Sequence, residues 1–197
     1  VLETVHSYGG VVIADVNTVD FAKKCVDYGA DGLALVSFGA GGHTGTLSPF
    51  VFTSHVREFF DGIVVLAGSI SKGSHIKAAQ CLGADLCYMG TRFIATEESI
   101  AVKEYKDMVT RSKSTDLRIT NLFTGANAYY LKDSIINNNL DPDNLESNDK
   151  GFNISGSQEK ISAWKDIWSA GQGVGFSNKI ESIEEIASEL EIEWNNT

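Results

Sequence analysis

Proline is nearly absent from this chain, with 2 in 197 residues, and positive charge is scarce, with 16 Lys and Arg against 26 Asp and Glu. The resulting formal net charge of −10 argues against unselective binding to nucleic acid or to an anionic membrane surface. A phosphate site on such a chain must be local and built from backbone dipoles. Cysteine is sparse as well: Cys25, Cys81 and Cys87 lack metal-ligand spacing and lie in apolar segments. They read as buried, reduced thiols in a cytoplasmic protein without structural zinc or a disulfide framework. No apolar run approaches the ~20 residues needed to span a bilayer, and no signal peptide is visible. What is present, 43% hydrophobic residues and 19 glycines, is ordinary for an ordered protein with a sizeable core.

The most informative stretch is Val64-Val65-Leu66-Ala67-Gly68-Ser69-Ile70, followed by Leu86-Cys87-Tyr88-Met89-Gly90-Thr91-Arg92-Phe93. Val64–Leu66 and Leu86–Met89 are apolar without strict alternation, which suits strands buried on both faces of a parallel sheet. Between them, Ile76, Ala79 and Leu82 share one face of a short helix that Gly83 can stop. The result is a β-α-β unit whose strands both finish on small residues. Such endings let backbone N–H groups approach a phosphate; they equally suit two tight turns with no ligand.

In chain order, residues 10–16 form a first strand, and Asn17-Thr18 caps a helix over 19–28 that stops at Gly29. Val19, Phe21, Ala22, Cys25 and Val26 make its apolar face. Residues 31–38 are a second strand running into Gly39-Ala40-Gly41-Gly42-His43-Thr44-Gly45, and 52–60 a second helix before the unit already described. Alternating strands and helices at this spacing predict an α/β fold with a parallel sheet, its strand C-termini on one edge. That edge collects Asn17, Gly41-Gly42-His43, Gly68-Ser69 and Gly90-Thr91.

Beyond residue 101 the pattern changes. Residues 98–108 look helical, 110–175 read as an Asn-, Asp- and Ser-rich insertion covering the strand ends, and 161–168 as a further short helix carrying Trp164 and Trp168 at i,i+4. Gly171–Gly175 reads as a flexible turn, and 182–194 as an amphipathic closing helix. Tyr129 and Tyr130 suit either a lid or a satellite core. The organisation expected is 1–100 for the βα array, 101–180 for the lid and 181–197 for the closing helix.

His43 is the candidate catalyst. It follows small residues at a strand end, and imidazole moves protons near neutral pH. A histidine in this position can equally bond a loop carbonyl without chemistry. His6, His55 and His75 read as structural, and Arg92 and Lys72, which flank the phosphate candidates, suit either a phosphate or an outward salt bridge.

These residues carry a resemblance. Gly39-Ala40-Gly41-Gly42-His43-Thr44-Gly45, Leu66-Ala67-Gly68-Ser69-Ile70, Leu82-Gly83-Ala84-Asp85 and Met89-Gly90-Thr91-Arg92-Phe93 resemble, in order and spacing, the nitronate monooxygenase family, which includes flavin-dependent enoyl-acyl-carrier-protein reductases. Asn121-Leu122-Phe123-Thr124-Gly125 and Asp141-Pro142-Asp143-Asn144-Leu145 resemble the C-terminal part of one branch. The resemblance implies an FMN-dependent TIM (β/α)8 barrel of which this chain, opening on Val1, is the C-terminal half, since a closed barrel takes about 250 residues. By position, Gly68, Ser69, Gly90 and Thr91 would hold the FMN phosphate, Gly41 and Gly42 would pass close to the cofactor, and Met89 would lie beside it. His43 matches the family's histidine, which would take the α-proton of a nitroalkane or orient its nitro group; O2 would then reoxidise the flavin, giving a carbonyl compound and nitrite. Two departures stand out. Gly39 occupies a place where many relatives carry Glu, and Ser69 replaces a glycine, compatible with phosphate binding if its φ stays negative.

Two further readings remain open: NAD(P)H-linked reduction of an enoyl thioester, and a phosphate-binding barrel domain without redox chemistry. An inosine-monophosphate-dehydrogenase-like mechanism is disfavoured, because no cysteine lies in a strand-end loop. The expected partners are a small-molecule substrate and O2, with a homo-oligomer or an N-terminal half-barrel covering the open strands.

Overall fold

The computed structural model describes residues 1–145 and 163–197. In chain order its elements are α1 (Leu2–His6), β1 (Ile13–Val16), α2 (Val19–Asp27), β2 (Gly32–Val36), β3 (Gly42–His43), α3 (Pro49–Arg57), β4 (Ile63–Ala67) and α4 (Gly73–Cys81). They continue with β5 (Leu86–Tyr88), α5 (Thr91–Ile94), α6 (Lys103–Arg111), β6 (Leu117–Thr120), β7 (Ala128–Leu131), α7 (Lys132–Asn137) and α8 (Ile183–Asn195). Short 3-10 turns occupy Ser114–Asp116 and Gln172–Phe176. The chain divides into two compact units, Val1–Phe38 with Gly45–Met89 and Ser188–Thr197, and Gly39–Thr44 with Gly90–Ala187.

The first unit is the α/β array anticipated from the βα rhythm. Its sheet is parallel throughout, in the order β1-β2-β4-β5. Leu33 and Leu35 of β2 and Val64 and Leu66 of β4 share a core with Ala22 of α2 and with Phe52 and Val56 of α3. Ala34, Val65 and Ala67, pointing the other way, are buried too, so the two central strands are covered on both faces. The outer strands are not. Leu86 and Tyr88 of β5 are 56% and 51% exposed, against the expectation of burial on both faces, while Cys87 and Met89 pack on the core. Being an edge strand explains the difference: among the described residues β5 has a strand neighbour on one side only. Phe21, expected on the apolar face of α2, is also exposed, and Cys81 lies open at the end of α4 rather than buried.

Thr18 caps α2 as expected, accepting the Phe21 N–H at 3.2 Å. Helix α3 begins three residues before the expected 52, because Pro49 sits in its first turn, where a missing N–H costs nothing. The loops leading into β2 and β5 repeat one device. Gly29-Ala30-Asp31 and Gly83-Ala84-Asp85 each turn out of a helix through a glycine at positive φ, then clasp the neighbouring strand. Asp31 donates its N–H to the Val12 carbonyl at 3.0 Å, and its carboxylate accepts the Val12 N–H at 2.8 Å. Asp85 does the same to Val64, at 2.8 and 2.8 Å. Each carboxylate also meets a basic side chain, His6 at 2.8 Å and Arg57 at 2.7 Å. Both carboxyls are held below their ordinary range, first by the backbone N–H and then by the basic partner working against desolvation. Near the end of α8, Glu193 caps α4 by accepting the Gly73 N–H at 2.7 Å.

The second unit departs from an irregular insertion. Its described residues hold an antiparallel sheet in the order β3-β7-β6. Met108, Val109, Leu117, Leu131, Ala170 and Val174 form one core, and Phe123, Ala128, Tyr130, Ile135 and Ile167 another. The helix expected over 98–108 is α6, shifted to Lys103–Arg111, because Val102 stays extended and Glu98 is used to cap Ile183 at 3.0 Å. Arg92, read as a partner for a phosphate or for an outward salt bridge, is 4% exposed and pairs with buried Glu181 at 2.9 Å. The segment Gly171–Gly175 is a 3-10 turn with Gly173 and Val174 buried, not a loose one. The helix expected over 161–168 is not formed by its described part, where Ala163 and Ile167 bridge around a turn; residues 161 and 162 lie outside the described residues, as does Phe152. Among the described residues no helix is long and apolar enough to cross a membrane.

Candidate active site

His43 is a strand residue. In β3, Gly42 lies opposite Tyr129 and His43 opposite Ala128, and the Thr44 N–H continues the pairing to the Asn127 carbonyl at 2.9 Å. This pairing fixes the histidine backbone while its side chain remains exposed. Two contacts orient the ring. His43 Nε2 lies 3.0 Å from Thr124 Oγ1, and the Trp164 ring stands nearly perpendicular to it, 86° at 5.5 Å between centroids. Trp164 in turn stacks on Tyr130 at 5.4 Å, and Tyr130 meets Phe123 edge-on at 4.9 Å. Trp164 is therefore a wall beside the histidine, not one of a helical pair. It takes a left-handed φ of +71° in the turn, whereas Trp168 stacks on Tyr105 at 5.0 Å. Tyr130 is fully buried, and burial pushes its phenol up.

The loop before His43 is laced to residues 170–172. The Gln172 N–H donates to the Gly39 carbonyl at 3.0 Å, the Gly171 N–H donates to Thr91 Oγ1 at 2.8 Å, and Gln172 Nε2 donates to the Tyr129 hydroxyl at 2.9 Å. A Cβ on Gly41 would stand 2.7 Å from Gly171 N and 3.1 Å from Thr91 Oγ1, so only glycine permits this approach. Gly39 takes φ +90°, which disfavours the glutamate that the family resemblance would place there. The ring contact comes from Thr124 instead.

Gly90 and Thr91 lie in the same unit as His43. Among the described residues their backbone N–H groups make no hydrogen bond, and a Cβ added to Gly90 would meet nothing within 4 Å. Two free donors beside open space, with a Thr91 hydroxyl that accepts from Gly171 and retains its own proton to donate, fit a phosphate. Gly68, Ser69 and Met89 belong to the first unit. Gly68 is required by packing, since a Cβ there would stand 2.4 Å from Ser37 Oγ. Ser69 takes φ +59°, the opposite sign to the one on which its phosphate role is conditioned, a left-handed conformation that an L-residue adopts at a cost of roughly 1–2 kcal/mol. Met89 is half-buried against the first unit's core.

The other histidines are structural, as expected: His6 pairs with Asp31, His55 lies 3.4 Å from Glu58, and His75 Nδ1 accepts the Ser71 N–H at 3.2 Å. Burial pushes the Cys87 thiol up to about 11, so it is a protonated packing group and no nucleophile. Sequence reasoning did not single out Thr124, Trp164 or Gln172 as site residues. Phe123-Thr124-Gly125 stood within a recognised motif, but its place beside His43 depends on the β3–β7 pairing.

A parallel βα array, joined in sequence to a unit that presents an oriented imidazole and glycine-rich backbone, defines an α/β protein. The sequence profile described as nitronate monooxygenase matches residues 1–191, and the chain belongs to that family. A probable nitronate monooxygenase of Staphylococcus haemolyticus is 36% identical over 131 residues, covering 59% of this chain and 36% of that protein. A (3aS,4S,5R,7aS)-5-hydroxy-7a-methyl-1-oxo-octahydro-1H-indene-4-carboxyl-CoA dehydrogenase of Rhodococcus jostii is 37% identical over 91 residues, 46% of this chain and 26% of its own. Among solved structures, FabK from Thermotoga maritima superposes with a TM-score of 0.76 at 22% identity, covering 99% of this chain and 64% of that one. Nitroalkane oxidase from Streptomyces ansochromogenes gives 0.75 at 22%, covering 99% and 60%. These two likenesses establish the fold. The chain spans little more than a third of the length of the staphylococcal relative and under two thirds of either solved chain.

Proposed function

We propose that this chain is part of an FMN-dependent oxidoreductase that oxidises nitroalkanes or their nitronates with O2, releasing a carbonyl compound and nitrite. The observation that carries the reading is the exposed His43 imidazole, fixed by a strand pair, a hydroxyl and a perpendicular indole, in a chain of this family. In this reading Gly90 and Thr91 offer N–H groups and a hydroxyl to the FMN phosphate; Gly41, Gly42, Gly68, Ser69 and Met89 are assigned to the same cofactor by the resemblance alone, and the left-handed φ of +59° at Ser69 fails the condition set for its part. The bound flavin would supply an acceptor for the substrate's electrons and pass them to O2. His43 takes the α-proton of a neutral nitroalkane, leaving the C–H electron pair on carbon to delocalise into the nitro group. Trp164 limits how the ring can swing. The same reading makes the chain the C-terminal half of a (β/α)8 barrel, with β1 and β5 as the seams where an N-terminal half or a second copy would pair.

A second reading has its own support. The relative named as a carboxyl-CoA dehydrogenase is as similar over its matched span as the named nitronate monooxygenases, which makes a thioester the competing substrate. The deciding experiment follows the absorbance spectrum and oxygen uptake of the full-length protein and its His43→Ala variant with a nitroalkane. Flavin bands in both, with turnover in the variant lower by roughly 10²–10⁴-fold, are expected. Unchanged uptake in the variant removes His43 from the chemistry. NADH oxidation driven by an enoyl thioester, without nitroalkane-dependent uptake, selects the second reading. Absence of flavin from both proteins overturns the redox assignment.

A further inference from the structure

We infer that Thr124 is a positioning residue that holds His43 in the Nε2–H tautomer, so that Nδ1 is the nitrogen that receives the substrate's proton. The inference rests on the proposed role of His43 as a base, and deepens it by assigning the atom.

The argument is a count of protons at one hydroxyl. Thr124 Oγ1 lies 3.1 Å from the Ala126 carbonyl oxygen and 3.0 Å from His43 Nε2. A threonine hydroxyl has one proton to give and lone pairs to accept with, whereas a carbonyl oxygen can only accept. If Thr124 gives its proton to Ala126, its oxygen accepts from Nε2–H and both contacts are hydrogen bonds. If Nε2 is bare, the hydroxyl can satisfy the carbonyl or the ring but not both. The Nε2–H tautomer therefore makes one more hydrogen bond than its alternative. Nδ1 makes no hydrogen bond among the described residues, and the ring is exposed. Once Nδ1 takes a proton, Nε2–H still donates to Thr124, so proton transfer needs no rearrangement of the support. Backbone geometry makes the support stiff: Thr124 and Ala126 belong to the turn joining β6 and β7, and His43 is paired to the residue that opens β7.

The test is the imidazole 15N spectrum of [15N]histidine-labelled full-length protein at a pH where His43 is neutral, its signals identified by their loss in His43→Ala. The shifts distinguish a protonated from a bare ring nitrogen, whatever reaction the enzyme runs. A protonated Nε2 with a bare Nδ1 is expected, preserved in Thr124→Ser and replaced by a tautomer mixture in Thr124→Val. In the kinetic arm, Thr124→Val lowers kcat for a neutral nitroalkane about tenfold with little change in KM, the size of one lost hydrogen bond, and Thr124→Ser restores it. A bare Nε2 in the unsubstituted protein overturns the inference, whatever the Thr124 variants do. Unaltered shifts in Thr124→Val overturn the role of Thr124. The expected spectra without any nitroalkane turnover uphold the tautomer assignment and sink the proposed reaction instead.

Discussion

At residue scale, this site is governed by what small side chains allow. Gly41 stands where the backbone of residues 170–172 passes, and its missing Cβ is the space that the Gly171 N–H uses to reach Thr91. Gly41→Ala is therefore expected to destabilise the protein by about 1–3 kcal/mol, the range for overpacking a fitted contact, read as a shift in the urea midpoint without a change in slope. A substitution that leaves the midpoint unchanged would show that the 170–172 segment gives way freely. The glycines around His43 were legible in the sequence as permissive backbone, and His43 as the one histidine set among them. Its partners were not. Thr124 is 81 positions away along the chain, and Trp164, read from i,i+4 spacing as helical packing, reaches the ring only because its segment turns.

The repeated Gly-Ala-Asp clasp dominates the element scale. Its second copy is reinforced by Arg57, whose Nε donates to the Gly83 carbonyl at 2.8 Å and whose Nη1 donates to the Phe60 and Gly62 carbonyls at 3.1 and 2.7 Å. One guanidinium thus ties the end of α3, the start of β4 and the entry to β5. Arg57→Lys retains the charge but cannot reproduce that fork, so a loss of about 2–3 kcal/mol is expected in denaturant unfolding, with the cost concentrated in the loops flanking β4 and β5 in hydrogen exchange. The βα rhythm of these elements could be read directly, since apolar strands and stop glycines are local signals. The β6–β7 hairpin could have been found from Leu117–Thr120 and Ala128–Leu131, both of strand length and separated by an Asn- and Gly-containing turn. The abundance of Asn and Asp around them masked that pattern.

For the whole molecule, charge sets the response to acid. Glu181 is buried; desolvation alone would raise its carboxyl, but Lys179 and Arg92 overcome this and hold it below its ordinary range. Asp31 and Asp85 are lowered too. A lowered folded-state pKa means that the unfolded chain binds the proton more tightly, so these groups stabilise the fold above the ordinary carboxylate range and lose that contribution as pH falls through their folded values. Stability is expected to be level near neutrality and to fall below about pH 4. Glu181→Gln should cost about 3–5 kcal/mol at pH 7 by removing a carboxylate that buried Arg92 and Lys179 both meet, and should flatten the acid limb in denaturant midpoints taken across pH. An acid limb as steep as the unsubstituted protein's would place the titration elsewhere.

The amino-acid sequence by itself determined the parallel βα array, its two-faced central strands, the caps and glycine stops, and the family, because each is written in contiguous residues or in motifs kept in order. Tertiary structure alone decided that β5 is an exposed edge, that Arg92 turns inward to Glu181, that Ser69 takes a left-handed φ, and that His43 is a strand residue held by Thr124 and Trp164. Those outcomes depend on which distant segments meet. A period of two or 3.6 residues specifies which face of an element is apolar, but it carries no information about which hydroxyl, indole or carboxylate will stand opposite that face once the chain has closed.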